Sequence, residues 1–367
     1  MTTPARPVPA DAARWMDALR AVLAMVVAFS HIWGLVVADH RPGDAIVGRP
    51  FYFLAGYAHP AVILFFVLSG FWIAKSVQAL DRSGWSWRAF VIARWSRLAI
   101  VVIPALVLGG VLDATGLWLL RTPTHLGQTQ VWFIETDVAT ALSPSVALGN
   151  LLFLQHIVVP PFGSNGPLWS VAFEFWYYLW FAALWIAARR RRAGPMLIAL
   201  AVAILSLDLV YGFLAWLAGA AAFHLRGRFG ARALVPLGFL LGLTLIWVRT
   251  GEYRGEDLVL AWVAAAFLVA LTARDPLFPR FLAPLARFGA SGSFSLYAIH
   301  FPIAMLAAGL IVGPQRLSPG VHAVAIVALL LGASIILAAL FARPTEARTG
   351  AFRAWLMRRT AGRRSPA

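Results

Sequence analysis

The chain has 367 residues, of which 61% are hydrophobic and only 13% are charged, and its mean hydropathy is +0.78. A soluble protein of this length needs far more polar surface, so the composition predicts an integral membrane protein. The net charge is +16, nearly all of it from arginine, and cysteine is absent. The missing cysteines exclude disulfides, thiolate metal sites and a cysteine nucleophile.

The apolar runs predict the fold class. A transmembrane helix needs about 20 consecutive apolar residues. We therefore predict an all-α, polytopic membrane bundle of about ten transmembrane helices, at residues 18–38, 56–75, 98–119, 168–188, 196–211, 213–225, 233–248, 258–273, 293–312 and 321–342.

Arginine-rich loops set the predicted orientation. Basic clusters at 82–97, 189–192 and 226–232 make their side of the membrane cytoplasmic and place both termini there. The same rule explains most of the positive charge without a nucleic-acid partner. The stretch 120–167 then starts and finishes outside. Its apolar piece, 146–159, is too short to cross and return, so we predict a re-entrant or interfacial segment.

The domain organisation follows from the same pattern. We expect one transmembrane domain over residues 1–345 and a basic cytoplasmic tail over 346–367, held against anionic lipid of the inner leaflet. The first apolar run is too long for a secretory signal, so we interpret it as a retained first span.

The first span, "RWMDALRAVLAMVVAFSHIWG", carries Arg20 and His31. At roughly 100° per residue the two side chains face within about 20° of each other, separated by about 16 Å of helix rise. This spacing suits a long ligand with an anionic head and a reactive tail. The alternative is a snorkelling arginine and a histidine hydrogen-bonded inside the bundle. We expect both side chains to project into a common aqueous cavity reached from the cytoplasm.

Two further segments place polar groups in apolar surroundings. Arg94 and Arg97 in "RWSR" lie one turn apart, so they can bind phosphate through guanidinium forks or simply follow the positive-inside rule. Glu174 in "PLWSVAFEFWYY" must be protonated, paired or hydrated, because an unpaired carboxylate inside a membrane costs several kcal/mol. Trp169 and Ser170 lie at the mouth of the same helix.

The segments "SFSLYAIHFPI" and "FFVLSGFWIA" add four candidates. Tyr297 and His300 share a helix face, and Pro302 removes a backbone donor, which frees carbonyl groups into a cavity. Ser69 and Gly70 form a small polar notch that allows close approach of another helix. The remaining histidines lack metal-ligand spacing, so we predict no metal site.

Taken together, these segments resemble the acyltransferase 3 family of integral membrane O-acyltransferases. The first-span motif of an arginine and a histidine with ten residues between them is matched by Arg20 and His31, and the family's R-x-x-R element by Arg94 and Arg97. The three other segments also match, over about residues 14–310. The chain departs from the family where paired glutamates are reduced to Glu174.

The resemblance implies a ten-span bundle in the bacterial cytoplasmic membrane that moves an acyl group, usually acetyl, from cytoplasmic acyl-CoA to a hydroxyl of a carbohydrate or glycolipid. Acyl-CoA (acetyl-CoA) is then a donor substrate, with no permanently bound cofactor. Arg20, Arg94 and Arg97 would hold the CoA end. His31 would act at the thioester. Our own hypothesis is that His31 is a general base and that a buried carboxylate such as Glu174 orients or polarises it. The other candidates would contact substrate: Trp169, Ser170, Tyr297, His300 and Ser69.

Other interpretations remain open at this stage. Direct transfer is favoured over an acyl-serine route, because no serine has a base evident from sequence. A proton-coupled transporter or flippase of a polysaccharide or lipid-linked sugar would use His31, Glu174 and His300 as a proton relay. A binding or assembly subunit of a polysaccharide-exporting complex would use its arginines only to set topology.

Overall fold

The structure is a computed structural model that describes residues 7–41, 46–129, 131, 134, 137–190, 194, 196, 203–228, 230–249, 254–273 and 275–360. Every regular element in this part of the chain is helical, which confirms the all-α prediction. The longer helices are α1 (Ala10–Val36), α3 (Ala58–Ser83), α4 (Trp87–Ala114), α7 (Trp169–Arg190), α8 (Leu207–Leu225), α9 (Leu234–Val248), α10 (Arg254–Leu271), α12 (Ser293–Ile311) and α13 (Val321–Ala342). The shorter helices are α2 (Arg49–Ala55), α5 (Val138–Ala141), α6 (Pro144–Leu151), α11 (Ala283–Ser291) and α14 (Thr349–Thr360).

Seven helical stretches within the described residues are long and apolar enough to cross a membrane: those that contain α1, α3, α4, α7, α8, α12 and α13. The predicted span at 233–248 corresponds to α9, which is apolar but has only 15 residues. Residues 197–202 of the predicted span at 196–211 lie outside the described residues. Its last residues form the first turn of α8, so the predicted break near Tyr211 is wrong.

The stretch between α4 and α7 contains no long helix in its described part. α6 has eight residues and is therefore about 12 Å long, whereas the hydrocarbon layer is about 30 Å thick. This segment contacts the end of α4 at Asp113 and the middle of α12 at Ala298 and Met305, and its backbone returns to the start of α7. It therefore forms a cap on one end of the bundle, next to the site described below.

α3 and α8 meet at backbone contact distance. A Cβ atom on Gly70 would lie 2.1 Å from the carbonyl oxygen of Trp216, and one on Gly219 would lie 1.9 Å from that of Val67. Only glycine fits at either position, and small residues allow this approach between membrane helices. The notch predicted at Gly70 is thus a helix-packing site. The interface positions Ser69, which precedes Gly70, toward the interior of the bundle.

The C-terminal end of α1 is tied to the connection between α12 and α13. The Arg316 guanidinium binds both carboxylate oxygens of Asp39, at 3.0 and 2.8 Å, and donates to the carbonyls of Gly34 and Val37. The hydrogen bond from Arg316 lowers the pKa of the Asp39 carboxyl. These contacts fix the last turns of α1, which carry His31.

The described part of the basic tail is helical and packs beside α4. Arg88 of α4 donates to the carbonyl oxygen of Met357 at 3.0 Å and to the hydroxyl of Thr360 at 3.2 Å. A cation at this place satisfies carbonyl groups at the C-terminus of α14. The cytoplasmic location of the tail stays a prediction.

The contact between α3 and α8 generates a stability prediction. Gly219→Ala forces a Cβ atom against the Val67 carbonyl, so we expect the protein to lose about 1–3 kcal/mol of unfolding free energy. Unfolding in detergent would measure this loss. The matched control is Gly332→Ala in α13, where a Cβ atom meets nothing within 4 Å and stability should be unchanged or slightly higher. Equal stability of the two variants would contradict the packing described here.

Candidate functional site

A cavity of about 380 Å³ lies between α1, α3, α4, α7 and α12, and we call it the arginine cavity. Three guanidinium groups line it, those of Arg20, Arg94 and Arg97. The structure thus brings together two motifs that are more than 70 residues apart in sequence. Four other predicted site residues also line this cavity: Ser69, Ser170, Glu174 and Tyr297.

The arginines of this cavity are incompletely paired. Arg94 donates to Ser76 at 3.3 Å, while its buried Nε atom has no partner among the described residues. The Arg20 guanidinium is 3.7 Å from Asp17, and its side chain is 18% exposed. Two carboxylates, those of Asp17 and Glu174, line the cavity beside the three guanidiniums, and the carboxylate of Glu346 also attracts Arg20. Because the surroundings are apolar, electrostatic interactions here are strong, and guanidinium forks with free donors can bind an anionic ligand.

Glu174 is hydrogen-bonded within the bundle, as its position in a membrane helix requires. Its Oε1 atom accepts from the hydroxyl of Ser69 at 2.6 Å and from that of Tyr178 at 2.5 Å. The indole of Trp216 donates to Ser69 at 3.2 Å, which extends the network to α8. Tyr178 is a site residue that the sequence analysis missed, although its i, i+4 spacing from Glu174 was a usable signal.

His31 lines a second cavity of about 530 Å³, which we call the histidine cavity. Its walls include Trp169 of α7 and much of the segment 157–167. The expectation that Arg20 and His31 open into one common cavity is therefore corrected: each lines a different cavity of the described structure. The helix geometry was right, but contacts from other elements close the space between the two side chains.

We call these closing contacts the partition. The hydroxyl of Tyr297 donates to the carbonyl oxygen of Pro167 at 2.9 Å, and the hydroxyl of Ser170 donates to Tyr297 at 2.7 Å. Tyr297 and Ser170 line the arginine cavity, whereas Pro167 lines the histidine cavity. The partition is therefore a single layer of hydrogen-bonded groups between the two cavities.

The group that orients the His31 ring through Nδ1 is His300, and not Glu174 as expected from the sequence. His31 Nδ1 lies 2.9 Å from His300 Nε2, and the two rings are nearly parallel, at 6°. His300 Nδ1 is 3.0 Å from the carbonyl oxygen of Leu296 and 2.9 Å from that of Tyr297. Carbonyl oxygens only accept, so His300 Nδ1 carries a proton and His300 Nε2 is an acceptor when the ring is neutral.

This chain of hydrogen bonds fixes the tautomer of His31. Because His300 Nε2 accepts, the neutral His31 ring donates from Nδ1 and carries its lone pair on Nε2. A histidine with one nitrogen held as donor and the other left basic has the arrangement of a general base. His300 is fully buried, so its ring is held firmly in place.

Pro302 was predicted to free carbonyl groups into a cavity, but the carbonyl that it frees is bonded by another segment of the protein. Proline has no N–H, so the carbonyl of Ala298, four residues earlier, loses its helical donor. In the structure this carbonyl accepts from Asn165 Nδ2 at 2.9 Å. Asn165 belongs to the cap between α4 and α7, so the freed carbonyl anchors the cap to α12. The sequence analysis did not identify Asn165.

A buried polar cluster also holds the cap. The carboxylate of Asp113 accepts two hydrogen bonds from Ser164, one from its backbone N–H and one from its hydroxyl, both at 2.7 Å. The same carboxylate lies 3.2 Å from His125 Nε2. The hydroxyl of Thr122 is 2.7 Å from His125 Nδ1. The side chains of Asp113 and His125 are fully buried. The sequence analysis did not single out His125, because no local pattern marks Asp113 as its partner.

Comparisons with known proteins were made on the whole chain. A family model described as an acyltransferase domain, acyltransferase 3, matches residues 13–343. The Acyltransferase MdmB of Streptomyces mycarofaciens is 28% identical over 254 residues, which are 67% of this chain and 58% of that protein. The match thus spans less than two thirds of that relative's length. No solved structure matches the chain significantly.

The Asn165 contact generates a second prediction. Asn165→Ala leaves the Ala298 carbonyl without a donor in an apolar environment, and we expect a loss of about 1–3 kcal/mol in unfolding free energy. The control is Ser145→Ala at an exposed position of the same cap, where we expect a change within about 0.5 kcal/mol. Denaturant unfolding in detergent measures both. An Asn165→Ala variant as stable as the control would show that this contact does not anchor the cap.

Proposed function

The chain belongs to the acyltransferase 3 family, and we propose that it moves an acyl group from cytoplasmic acyl-CoA to a hydroxyl of a carbohydrate or glycolipid. The acyl group that we propose is acetyl. The observation that carries the proposal is the pairing of two unlike cavities. One is lined by three guanidiniums, and the other by a histidine whose tautomer leaves Nε2 basic. A single partition separates them.

The donor is assigned to the arginine cavity. The phosphates of CoA are multiply charged, and Arg20, Arg94 and Arg97 offer guanidinium forks that bind phosphate oxygens in pairs. The cavity lies beside the arginine-rich ends of α3 and α4, which we place in the cytoplasm of a bacterial cell, together with both termini. From Arg20 to His31 the helix rises about 16 Å, a distance that an extended pantetheine arm covers.

His31 is assigned as the base of the reaction. Its Nε2 atom takes the proton from the acceptor hydroxyl as that oxygen attacks the thioester carbonyl carbon. A carbon–oxygen bond forms, the carbon–sulfur bond breaks, and the CoA thiolate recovers the proton from His31. His300 acts through His31: its Nε2 atom holds the Nδ1 proton and stabilises the imidazolium while it exists.

In this mechanism the partition controls when the acyl group can be transferred. A thioester in the arginine cavity reaches His31 only when the contact of Tyr297 with Ser170 and Pro167 opens. While it is closed, the thioester is shielded from water in the histidine cavity, which reduces wasteful hydrolysis. The proton relay required for a transporter gains no support here, because Glu174 bonds to Ser69 and Tyr178 and lines the opposite cavity from His31.

The base is tested with the purified protein in lipid nanodiscs. The assay measures transfer from [14C]acetyl-CoA to deacylated cell-envelope saccharides of the bacterium that naturally makes the protein. His31→Ala should lower the rate by about 10²–10⁴-fold, because the proton acceptor is lost, while the Kd for acetyl-CoA stays at the wild-type value. His300→Phe should lower kcat and move the pH profile of kcat/KM. Full transfer by His31→Ala would overturn the assignment.

The donor site is tested by calorimetric titration of the same nanodiscs with acetyl-CoA. Arg94→Ala and Arg97→Ala should each weaken binding by about tenfold, because each removes charged hydrogen bonds to phosphate. The control is Arg82→Ala, an exposed arginine of α3 that does not line the cavity. Unchanged affinity in both cavity variants would favour arginines that only set topology, as in an assembly subunit.

A further inference from the structure

The segment that follows α13 packs against the part of the bundle that holds the arginine cavity. It comprises a short helical turn, Glu346–Arg348, and α14. Both contact α4, the helix that contributes Arg94 and Arg97 to the cavity. We call residues 345–360 the tail segment. The reaction described above gives it no role.

Three contacts hold the tail segment along α4 and α12. At its beginning, Glu346 Oε2 accepts from the backbone N–H of Ser295 at 3.0 Å and from its hydroxyl at 2.9 Å. In its middle, the ring centroids of Phe352 and Trp95 lie 6.2 Å apart. At its end, Arg88 binds the last turn of α14. A helix that is held at three points is a fixed part of the bundle and can contribute side chains to a binding site.

The start of the tail segment lies at the wall of the arginine cavity. The carboxylate of Glu346 attracts Arg20 and Arg97, both of which line the cavity. Its hydrogen-bond partner, Ser295, belongs to the first turn of α12, which also lines the cavity. From there the chain continues through residues 347–367, which include six arginines and no acidic residue. The charge of this sequence suits an anionic group that extends out of the cavity.

The tail segment brings a fourth arginine to the donor site. Because Trp95 contacts the beginning of α14 and Arg88 its end, α14 runs antiparallel to the first turns of α4. Arg353, next to Phe352, is thereby close enough to Arg94 for the two guanidiniums to repel each other. Cations brought together in this way favour the binding of an anion, because the anion relieves their repulsion.

The arginine cavity is too small for a whole acyl-CoA molecule. Its volume of about 380 Å³ lies near the lower end of the range of about 300–1,000 Å³ that is typical of sites for drug-sized ligands. CoA is larger than such ligands, because it joins a pantetheine arm to an adenosine nucleotide with a diphosphate and a 3′-phosphate. If the arm extends into the bundle toward His31, the nucleotide and its 3′-phosphate remain outside the cavity. The tail segment begins at the cavity wall and is therefore placed to meet them.

We propose that the tail segment forms the outer part of the donor site, in which Arg353 binds the 3′-phosphate of the CoA nucleotide. This inference rests on the proposed function and deepens it, because it assigns the nucleotide of the donor to a surface of the protein. Arg20, Arg94 and Arg97 then hold the diphosphate, and Glu346 positions the tail segment beside them. The protein thereby distinguishes acyl-CoA from thioesters that carry the same pantetheine arm without the 3′-phosphate.

The test is calorimetric titration of the full-length protein in nanodiscs with acetyl-CoA and with acetyl-3′-dephospho-CoA, which differ only in that phosphate. Wild-type protein should bind the dephosphorylated ligand about fivefold more weakly, because an exposed charged pair contributes modestly to binding. Arg353→Ala should weaken acetyl-CoA binding by about the same factor. Its Kd for acetyl-3′-dephospho-CoA should equal that of wild type, since the group that Arg353 binds is already absent.

Arg358→Ala is the matched control, because it removes the same charge from the same helix. Arg358 is exposed and, at roughly 100° per residue, lies about 140° around α14 from Arg353. Its Kd for both ligands should equal that of wild type. The titrations are made in nanodiscs of phosphatidylcholine and repeated with phosphatidylglycerol added, because lipid phosphates can compete for the same guanidinium. The loss caused by Arg353→Ala should be present in phosphatidylcholine alone.

The outcomes separate this inference from the proposed function. If wild-type protein binds acetyl-CoA but Arg353→Ala weakens both ligands equally, or neither, the role of Arg353 is overturned while the proposed function stands. Equal affinity of wild type for the two ligands, or an equal loss in Arg358→Ala, also overturns it. A loss that is seen only with phosphatidylglycerol would assign Arg353 to lipid headgroups instead. If wild-type protein binds neither ligand, the acyl-CoA donor is wrong and the inference fails with it.

Discussion

No water inside the hydrocarbon layer can satisfy a polar group, so each one carried into the bundle needs a partner within the protein. The site is organised by this constraint. The Ala298 carbonyl freed by Pro302 is bonded by Asn165, and Glu174 is bonded by Ser69 and Tyr178. Arg94 is the exception among residues that line the arginine cavity: its Nε atom is buried without a partner in the described part of the chain. Incomplete pairing at this place is what a binding site for an anion requires.

The two ends of α1 face different electrostatic environments, and this difference supports the division of labour proposed above. A guanidinium beside His31 would oppose the positive charge that an imidazole gains as a base, since like charges repel strongly in an apolar medium. Placing Arg20 about 16 Å away, in another cavity, avoids this conflict. In the proposed mechanism the partition adds a second barrier, because its closed contacts keep an anionic donor apart from the base.

Local sequence patterns predicted much of this arrangement, and distant contacts explain what they missed. Helix periodicity predicted that Arg20 and His31 lie on the same face of one helix, and the apolar runs predicted most of the long helices. The hydrogen bond between His31 and His300 joins residues 269 positions apart, and no periodicity within one helix encodes it. The partition and the anchoring role of Asn165 depend in the same way on how the cap folds back onto α12. The break predicted near Tyr211 failed because apolar length alone does not fix where a helix begins.

The choice of a second histidine as the partner of His31 follows from the cost of charge in a membrane. A carboxylate in that position would be negative before any substrate arrived, and its burial would cost several kcal/mol unless a cation accompanied it. A neutral His300 can take its orientation from backbone carbonyls of its own helix, so it needs no buried counter-charge. Charge then arises in the histidine cavity only while the acceptor proton is held by His31. The carboxylate of Glu174 lies instead in the cavity that three guanidiniums line.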